Sequence, residues 1–127
     1  MLKNSKVFSG FSVNDLKTAK EFYGNKLGVE VNENEMGVLD LYFSGDTHII
    51  IYPKPDHVPA TFTVLNFLVS DIDAKVTELK NAGIVFESYK EQNLTTGEDN
   101  ILRNNGPKIA WFKDPAGNIL SVIEEKK

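Results

Sequence analysis

An internal repeat constrains the fold of this chain more than any other feature. The segment Phe11-Ser-Val-Asn-Asp-Leu16 recurs further along as Phe67-Leu-Val-Ser-Asp-Ile72. In both copies an alternating apolar stretch, typical of a strand, runs into an aspartate that can cap a helix. Because the two copies agree in order as well as in composition, the sequence predicts one supersecondary unit built twice.

The elements predicted after each strand also follow one order. Each copy has a helix whose apolar residues recur at helical spacing, and a glycine, Gly28 or Gly83, ends it. The apolar faces are Leu16, Ala19, Phe22, Tyr23 and Leu27 in the first helix, and Ile72, Val76, Leu79 and Ala82 in the second. A strand then follows at 29–31 and at 84–86, and a hairpin closes each copy, at 38–52 and at 108–124. The prediction is strand, helix and three strands, twice.

This order predicts an α+β fold. We expect a single domain made of two βαβββ modules, residues 1–58 and 59–127, joined where Pro53, Pro55 and Pro59 interrupt regular structure. If a helix covers one face of each module, the other faces can form a curved mixed sheet around a cleft. That cleft is where a ligand is expected.

The last hairpin has a recognisable turn sequence, Asp114-Pro-Ala-Gly-Asn118. Proline restricts φ at the second position, and Gly117 can adopt the positive φ that a tight turn needs. The side chains of Asp114 and Asn118 can bond to the backbone around them. The segment therefore predicts a tight connection between two strands.

Composition narrows the choice of partners. A formal net charge of −4, without a long run of like charges, argues against nucleic acid and anionic membranes as partners. The chain has no cysteine, which excludes disulfides, a thiolate nucleophile and cysteine-ligated metals. No apolar run approaches the ~20 residues that span a bilayer, and the first residues lack the apolar core of a signal peptide. We therefore expect a cytoplasmic protein.

Three motifs resemble those of the vicinal oxygen chelate superfamily, which includes glyoxalase I, extradiol dioxygenases, fosfomycin-resistance enzymes and bleomycin-resistance proteins. They are Val13-Asn-Asp-Leu16, the pair Phe22-Tyr23 with Leu27-Gly28, and Phe112-Lys-Asp-Pro-Ala-Gly-Asn118. The resemblance extends over almost the whole chain. It implies the paired βαβββ fold of the glyoxalase, bleomycin-resistance and dihydroxybiphenyl dioxygenase type, and a homodimer, since members of this size commonly pair.

The same resemblance identifies where metal ligands would lie. In metal-dependent members, His, Gln or Glu side chains on four strands hold one divalent ion; the corresponding positions here are Phe8, Ile50, Val64 and Ser121. Three apolar side chains and one neutral hydroxyl cannot hold such an ion against water. We therefore expect no metal and no other cofactor.

Strand alternation around these positions predicts the lining of the cleft. The expected lining residues are Phe8, Ser12, Tyr42, His48, Ile50, Tyr52, Val64, Asn66, Trp111, Ser121 and Ile123. An apolar and aromatic wall with a few separated polar groups is typical of a pocket for an aromatic or amphipathic small molecule. The alternative is that the apolar side chains meet and fill the space. Asn66 favours an open cleft, because a buried amide without partners costs about 1–3 kcal/mol.

Two further features bear on function. Residues 89–106 form a long polar segment, and its Arg103 is the first candidate to pair with the charge of an anionic ligand. Asp40 and His48 lie on opposite arms of the first hairpin, where they form either an acid-base pair or a coincidental surface pair. Of the two interpretations, the sequence favours the coincidental surface pair.

Three functions are consistent with these residues. The first is metal-independent binding of a small molecule, similar to the bleomycin-resistance proteins. The second is an enzyme, such as a lyase, an isomerase or a dioxygenase-like enzyme, that uses non-standard cleft residues or metal ligands. The third is a structural or interaction role with a filled cleft. We favour the first, because the residues quoted above offer an aromatic wall and no metal ligands.

Overall fold

The computed structural model describes residues 1–92, 94–104 and 106–125. The elements in chain order are β1 (Ser9–Val13), α1 (Leu16–Glu21), a π-helical turn (Phe22–Lys26), β2 (Glu30–Glu33), β3 (Leu39–Tyr42), β4 (His48–Pro53), β5 (Thr63–Val69), α2 (Ile72–Asn81), β6 (Lys90–Glu91), β7 (Leu94–Thr95), β8 (Ile109–Lys113) and β9 (Ile119–Glu124). The predicted α+β class is confirmed. Within the described residues, neither helix is long and apolar enough to cross a membrane. The chain divides into two compact units, Met1–Val58 (unit 1) and Pro59–Lys127 (unit 2).

Unit 1 has the predicted βαβββ order. Its sheet has the strand order β1-β4-β3-β2, with β1 parallel to β4 and the other pairs antiparallel. The helix starts where Asp15 accepts hydrogen bonds from the amides of Lys17 and Thr18, as the capping motif predicts. Alternate strand residues are buried, namely Val13, Leu39, Leu41, Ile49 and Ile51. The Phe11 ring lies 6.2 Å from that of Tyr23, so this face of the sheet is the one that the helical segment covers.

Unit 2 repeats the parallel pairing of its first and last strands. Its main sheet has the order β5-β9-β8, with β5 parallel to β9, and β6 and β7 form a separate pair. The α2 helix begins where the Asp71 carboxylate accepts from the Ala74 amide. The Ile72 amide also donates to the Glu124 carboxylate at 3.0 Å, which ties the start of α2 to β9. The buried residues Leu120 and Val122 belong to the face of β9 opposite to Ser121.

The first helix differs from the prediction, which had one continuous helix ending at Gly28. The α-helix ends at Glu21, and the chain continues as a π-helical turn whose Leu27 amide donates to the Phe22 carbonyl at 3.0 Å. Phe22 and Tyr23 are both buried, and their rings meet edge to face with their centroids 5.1 Å apart. The wider turn lets two consecutive aromatic side chains pack into one core. Gly28 follows with φ +69°, as the predicted helix end requires.

The predicted strand at 84–86 is also absent, and only an isolated bridge joins Phe86 to Phe112. The amide of Ile84 is used by the Leu79 carbonyl at the end of α2. Further along, the Tyr89 amide donates to the Thr96 hydroxyl and the Tyr89 carbonyl accepts from the Thr96 amide. Because backbone groups of Ile84 and Tyr89 are already bonded to other residues, only the part of the segment between them can pair with β8. The short β6-β7 hairpin of unit 2 is therefore an addition to the repeated order. It does not copy an element of unit 1.

The predicted turn between β8 and β9 is confirmed. One oxygen of the buried Asp114 carboxylate accepts from the amides of Ala116 and Asn118, at 3.0 and 2.9 Å. The other oxygen accepts from the Asn118 side chain at 3.0 Å. Gly117 has φ +87° and its amide donates to the Asp114 carbonyl. The turn is thus built from the side chains that its sequence provides.

Candidate ligand-binding site

The face of the unit 1 sheet that the helix leaves uncovered carries most of the predicted lining residues of this unit. In the strand register Gly10, Ile50 and Asp40 lie side by side, and Tyr42 pairs with His48. Ser12 pairs with Tyr52 on the same face. The residues of this face are exposed or half-buried, in contrast to their buried sequence neighbours.

His48 and four residues around it form a connected group. We call it the His48 cluster, and its members are Phe8, Asn34, Asp40, Tyr42 and His48. His48 Nε2 lies 2.8 Å from Asp40 Oδ1, and Asn34 Nδ2 donates to Asp40 Oδ2 at 3.1 Å. The hydrogen bond from His48 holds the pKa of the Asp40 carboxyl below its usual value. The Tyr42 ring stacks on the imidazole at 5.0 Å with an interplanar angle of 13°, and the Phe8 ring centre lies 5.6 Å away. Asp40 and His48 are therefore a hydrogen-bonded pair.

The His48 cluster borders an open groove of about 580 Å³. The groove is lined by Lys6, Val7, Phe8, Asp46 and His48. The side chain of Phe8 is 62% exposed, which is unusual for a ring of this size. An aromatic surface thus lies beside a histidine at a site that is open to solvent.

The hydroxyl of Ser12 has a partner that the sequence did not suggest. Ser12 Oγ lies 2.7 Å from Nδ1 of His57, which belongs to the proline-rich stretch at the end of unit 1. The second histidine of the chain is therefore held by a serine of β1. Nothing in the local sequence around His57 indicates this contact, because the two residues are far apart along the chain.

In unit 2 the register places Ser121 at the centre of the sheet, between Asn66 on β5 and Trp111 on β8. Ile50 has the equivalent position in unit 1, between Gly10 and Asp40. Ser121 has no exposed surface, and its hydroxyl donates to Oδ1 of Asn66 at 2.5 Å. Asn66 itself is exposed, and among the described residues no group bonds to its Nδ2. Two amide hydrogens are therefore available on this face.

Trp111 is oriented by contacts on both of its ends. Its Nε1 donates to the Thr63 hydroxyl at 3.1 Å, and the Tyr89 ring meets it edge to face at 5.5 Å. Burial raises the pKa of the Tyr89 phenol, with Glu87 and Glu91 adding to the shift. Ile123 is half-buried on the same face as Ser121, whereas a register shift between Thr63 and Leu65 interrupts the alternation that predicted Val64 on this face. Unit 2 thus brings together Asn66, Trp111, Ser121 and Ile123 of the predicted set.

Arg103 lies apart from these residues. Its guanidinium bonds to the carboxylates of Asp73, in the first turn of α2, and of Asp99, both at 2.5 Å. These two hydrogen bonds raise the pKa of the guanidinium. Arg103 as the charge partner of a ligand stays a prediction, and an anionic ligand would have to compete with two carboxylates for it.

The sequence model of the Glyoxalase/Bleomycin resistance protein/Dioxygenase superfamily matches residues 8–122. The chain belongs to this superfamily. The match extends from Phe8, next to β1, into β9, and so includes the turn motif and both helices. The resemblance that the sequence motifs indicated is therefore confirmed. No curated protein sequence matches the chain significantly.

Solved structures with the same fold span nearly the whole chain. TnmS3, an antibiotic-binding protein from Streptomyces sp. CB03234, is 23% identical with a TM-score of 0.69, over 97% of this chain and 98% of TnmS3. A superfamily member from Sphaerobacter thermophilus DSM 20745 is 25% identical with a TM-score of 0.70, over 95% and 98%. The fosfomycin-resistance protein FosX from Listeria monocytogenes is 12% identical with a TM-score of 0.71, over 97% and 94%. At such identities TnmS3 and FosX show the fold alone.

The donor set at the superfamily's metal positions does not fit a divalent ion. Phe8, Ile50 and Val64 have no donor atoms, and the Ser121 hydroxyl is buried and bonded to Asn66. Within residues 1–92, 94–104 and 106–125, no three His, Cys, Asp or Glu side chains are grouped so that they could hold a metal. Divalent ions need several charged or strongly donating ligands, which these positions do not supply.

Proposed function

We propose that this superfamily member binds a small aromatic or amphipathic molecule without a metal ion. The observation that carries the proposal is the pairing of Ser121 with Asn66. At a position where metal-dependent members have a ligand, a buried hydroxyl is used to orient an exposed amide. An amide held in this way can donate hydrogen bonds to an organic ligand, whereas a metal site would require charged ligands at the same place.

The surroundings of Asn66 suit an aromatic or amphipathic molecule. Leu68, on the same face of β5, is 69% exposed, and Trp111 presents a ring whose polar end is already bonded to Thr63. Apolar and aromatic surface around a few fixed polar groups is the usual composition of a small-molecule site. TnmS3, which has the same fold and is described as an antibiotic-binding protein, supports the proposal that a small molecule binds here. Which molecule binds here is a question for a thermal-shift screen of aromatic metabolites and antibiotics.

Metal independence has a direct test. The purified protein is expected to contain no stoichiometric zinc, nickel, iron or manganese, and a chelator is expected to leave its melting temperature unchanged. Both results follow from the lack of donors at Phe8, Ile50 and Val64. Elemental analysis after purification without chelator measures the first, and thermal denaturation the second. About one metal ion per chain would contradict the proposal.

The Ser121→Ala variant tests the role of the amide. Because Asn66 is exposed, losing the hydroxyl leaves no buried amide without a partner, and the free energy of unfolding should change by less than about 1 kcal/mol. Binding of a ligand found by the screen should weaken by about 0.5–1.5 kcal/mol, since Asn66 loses its fixed orientation. Ser44→Ala, in an exposed turn of unit 1, is the matched control and should change neither quantity. Lost stability with unchanged affinity would instead indicate a purely structural serine.

We also propose that the protein is a homodimer. Large apolar side chains such as Val58, Phe62 and Val85 are more than half exposed, and association would remove them from water. Sedimentation velocity at micromolar concentration is expected to give the mass of two chains. A single species with the mass of one chain, from micromolar concentration upwards, would rule this out. The cytoplasmic location expected from the sequence stays a prediction.

A second candidate function is catalysis by side chains alone. The hydrogen-bonded Asp40–His48 pair favours it, because a carboxylate that orients an imidazole is a common arrangement for general-base catalysis. A lyase or isomerase reaction on an acidic carbon would fit this pair. Activity that disappears in a His48→Gln variant while its melting temperature is unchanged would support this function over binding alone.

A further inference from the structure

The His48 cluster has a chemical property that the proposed small-molecule binding does not use. We propose that it recognises an acidic aromatic hydroxyl, so that a phenol, or an enol of similar acidity, donates its proton to Nδ1 of His48. This inference rests on the proposed function and specifies the ligand class for unit 1. It depends on the tautomer of His48, on the aromatic surfaces beside it and on the charges around the groove.

The tautomer follows from the bonds of Asp40. An ionised carboxylate only accepts hydrogen bonds, and Asp40 accepts one from Asn34 Nδ2 and one from His48 Nε2. The proton of the neutral imidazole is therefore on Nε2, and Nδ1 is left as an acceptor. Among the described residues no group bonds to Nδ1 of His48. An unused acceptor on an oriented ring is suited to a ligand that brings its own proton.

The aromatic residues suit a planar ligand. Tyr42 stacks on the imidazole and keeps the plane of the ring defined, while the exposed Phe8 ring borders the groove. A volume of about 580 Å³ is within the range of small-molecule sites and exceeds that of one aromatic ring. Contact with Phe8 would contribute affinity for the ring of the ligand, and Nδ1 would select for its hydroxyl.

The charges around the groove permit proton transfer. The O–H bond of the ligand breaks and an N–H bond forms at Nδ1, which gives an oxyanion and an imidazolium without any oxidant or reductant. Asp40 compensates the imidazolium, and Lys6, at the rim of the groove, compensates the oxyanion. Asp46 opposes the oxyanion from the same rim. Asp40 thus favours the charged pair, while the rim of the groove has one charge of each sign, Lys6 and Asp46.

The Asp40→Asn variant should turn Nδ1 of His48 from a hydrogen-bond acceptor into a donor. An asparagine can accept from Asn34 with its oxygen and then presents its own amide hydrogens to Nε2 of His48. The imidazole proton would move to Nδ1, which becomes a donor and no longer accepts from a hydroxyl. Asp40 is a positioning residue in this proposal, because it acts on the ligand only through His48.

Two matched probes test the proposal: 4-nitrophenol, which has an acidic hydroxyl, and 4-nitroanisole, its methyl ether, which has none. We expect the wild-type protein to bind 4-nitrophenol about ten- to a hundredfold more tightly, the range for one hydrogen bond to a charged group. Bound 4-nitrophenol should show the absorbance of its phenolate at a pH where the free compound is protonated. His48→Gln and Asp40→Asn should remove this preference, so that each variant binds 4-nitrophenol and 4-nitroanisole with similar affinity.

The outcomes distinguish a failure of hydroxyl recognition from a failure of the proposed binding function. If both probes bind equally, or if both variants lose both probes alike, the hydroxyl recognition is wrong while aromatic binding stands. If neither probe binds and the wider screen also finds no ligand, the proposed function fails as well. Thermal denaturation of each variant shows whether a loss of binding is a loss of fold.

Nitrogen-15 NMR of the imidazole rings gives an independent readout. The chain has two histidines, so His57, bonded to Ser12, is an internal reference. In the free protein, the nitrogen shifts of His48 should show the Nε2–H tautomer, and in Asp40→Asn the Nδ1–H tautomer. Addition of 4-nitrophenol should shift both nitrogens of His48 toward imidazolium. A His48 that carries its proton on Nδ1 in the wild type would overturn the proposal.

Discussion

Replacing Gly117 with valine is expected to lower the free energy of unfolding by about 2–6 kcal/mol. Two costs combine at this position. A β-branched residue at φ +87° is strained by about 1–3 kcal/mol. A Cβ atom there would also lie 3.1 Å from Cγ and 3.2 Å from Cβ of Pro59, and overpacking of this kind costs about 1–3 kcal/mol. Denaturant unfolding of the variant measures the sum.

Gly37 provides the matched control for this variant. It has φ +74°, and its amide bonds back to the Asn34 carbonyl just as that of Gly117 bonds to the Asp114 carbonyl. A Cβ atom at Gly37 would have no atom within 4 Å. Gly37→Val should therefore show the backbone strain alone, about 1–3 kcal/mol. Equal losses in the two variants would mean that the contact with Pro59 has no energetic weight.

Replacing Ser121 with glutamate is expected to destabilise the protein by several kcal/mol near neutral pH. The side chain at this position has no exposed surface, and its neighbours across the sheet are Asn66 and Trp111, neither of which is a cation. An ionised carboxylate without a positive partner is costly to bury. The variant should also fail to gain a metal, because Phe8, Ile50 and Val64 still supply no ligands.

The loss in this variant should depend on pH in a defined direction. Burial would raise the pKa of the introduced carboxyl in the folded state above its unfolded value of about 4.3. The penalty is then small below pH ~4, grows as the pH rises from the unfolded-state pKa toward the raised folded-state pKa, and levels off above it. Ser121→Gln adds similar volume without a charge, so its loss should be independent of pH. A Ser121→Glu variant that gains both a metal and stability would show that this sheet has ligands not identified here.

Smaller pH effects should follow from Asp40 in the wild-type protein. The hydrogen bond from His48 lowers the folded-state pKa of Asp40, so its contribution to stability is present above about pH 4 and is lost as the pH falls through that lowered value. The same bond defines the tautomer on which the phenol proposal depends. The change in the free energy of unfolding with acid and the His48 tautomer seen by NMR therefore report independently on the hydrogen bond between Asp40 and His48.

Several features of the site could be predicted because they depend on local sequence. Strand alternation was enough to assign Ser121 and Asn66 to one face, and Asp40 and His48 to another. The hydrogen bond within each pair then follows from the register, which places the two residues close together on neighbouring strands. Asn34 was missed, because it lies in the turn between β2 and β3, outside the β3–β4 hairpin that joins Asp40 to His48, and its amide reaches Asp40 only once that turn has formed.

By itself the sequence determined the repeat, the α+β class, the two helix caps at Asp15 and Asp71, and the turn at Gly117, since each depends on residues close together in the chain. Tertiary structure decided the rest. The π-helical turn arose because two adjacent aromatic rings share one core, and the strand at 84–86 was lost because its flanking backbone groups bond elsewhere. Arg103 pairs with Asp73 because tertiary structure brings α2 to it from 30 residues away, which no local pattern could indicate, whereas its other partner, Asp99, is a near neighbour in the chain.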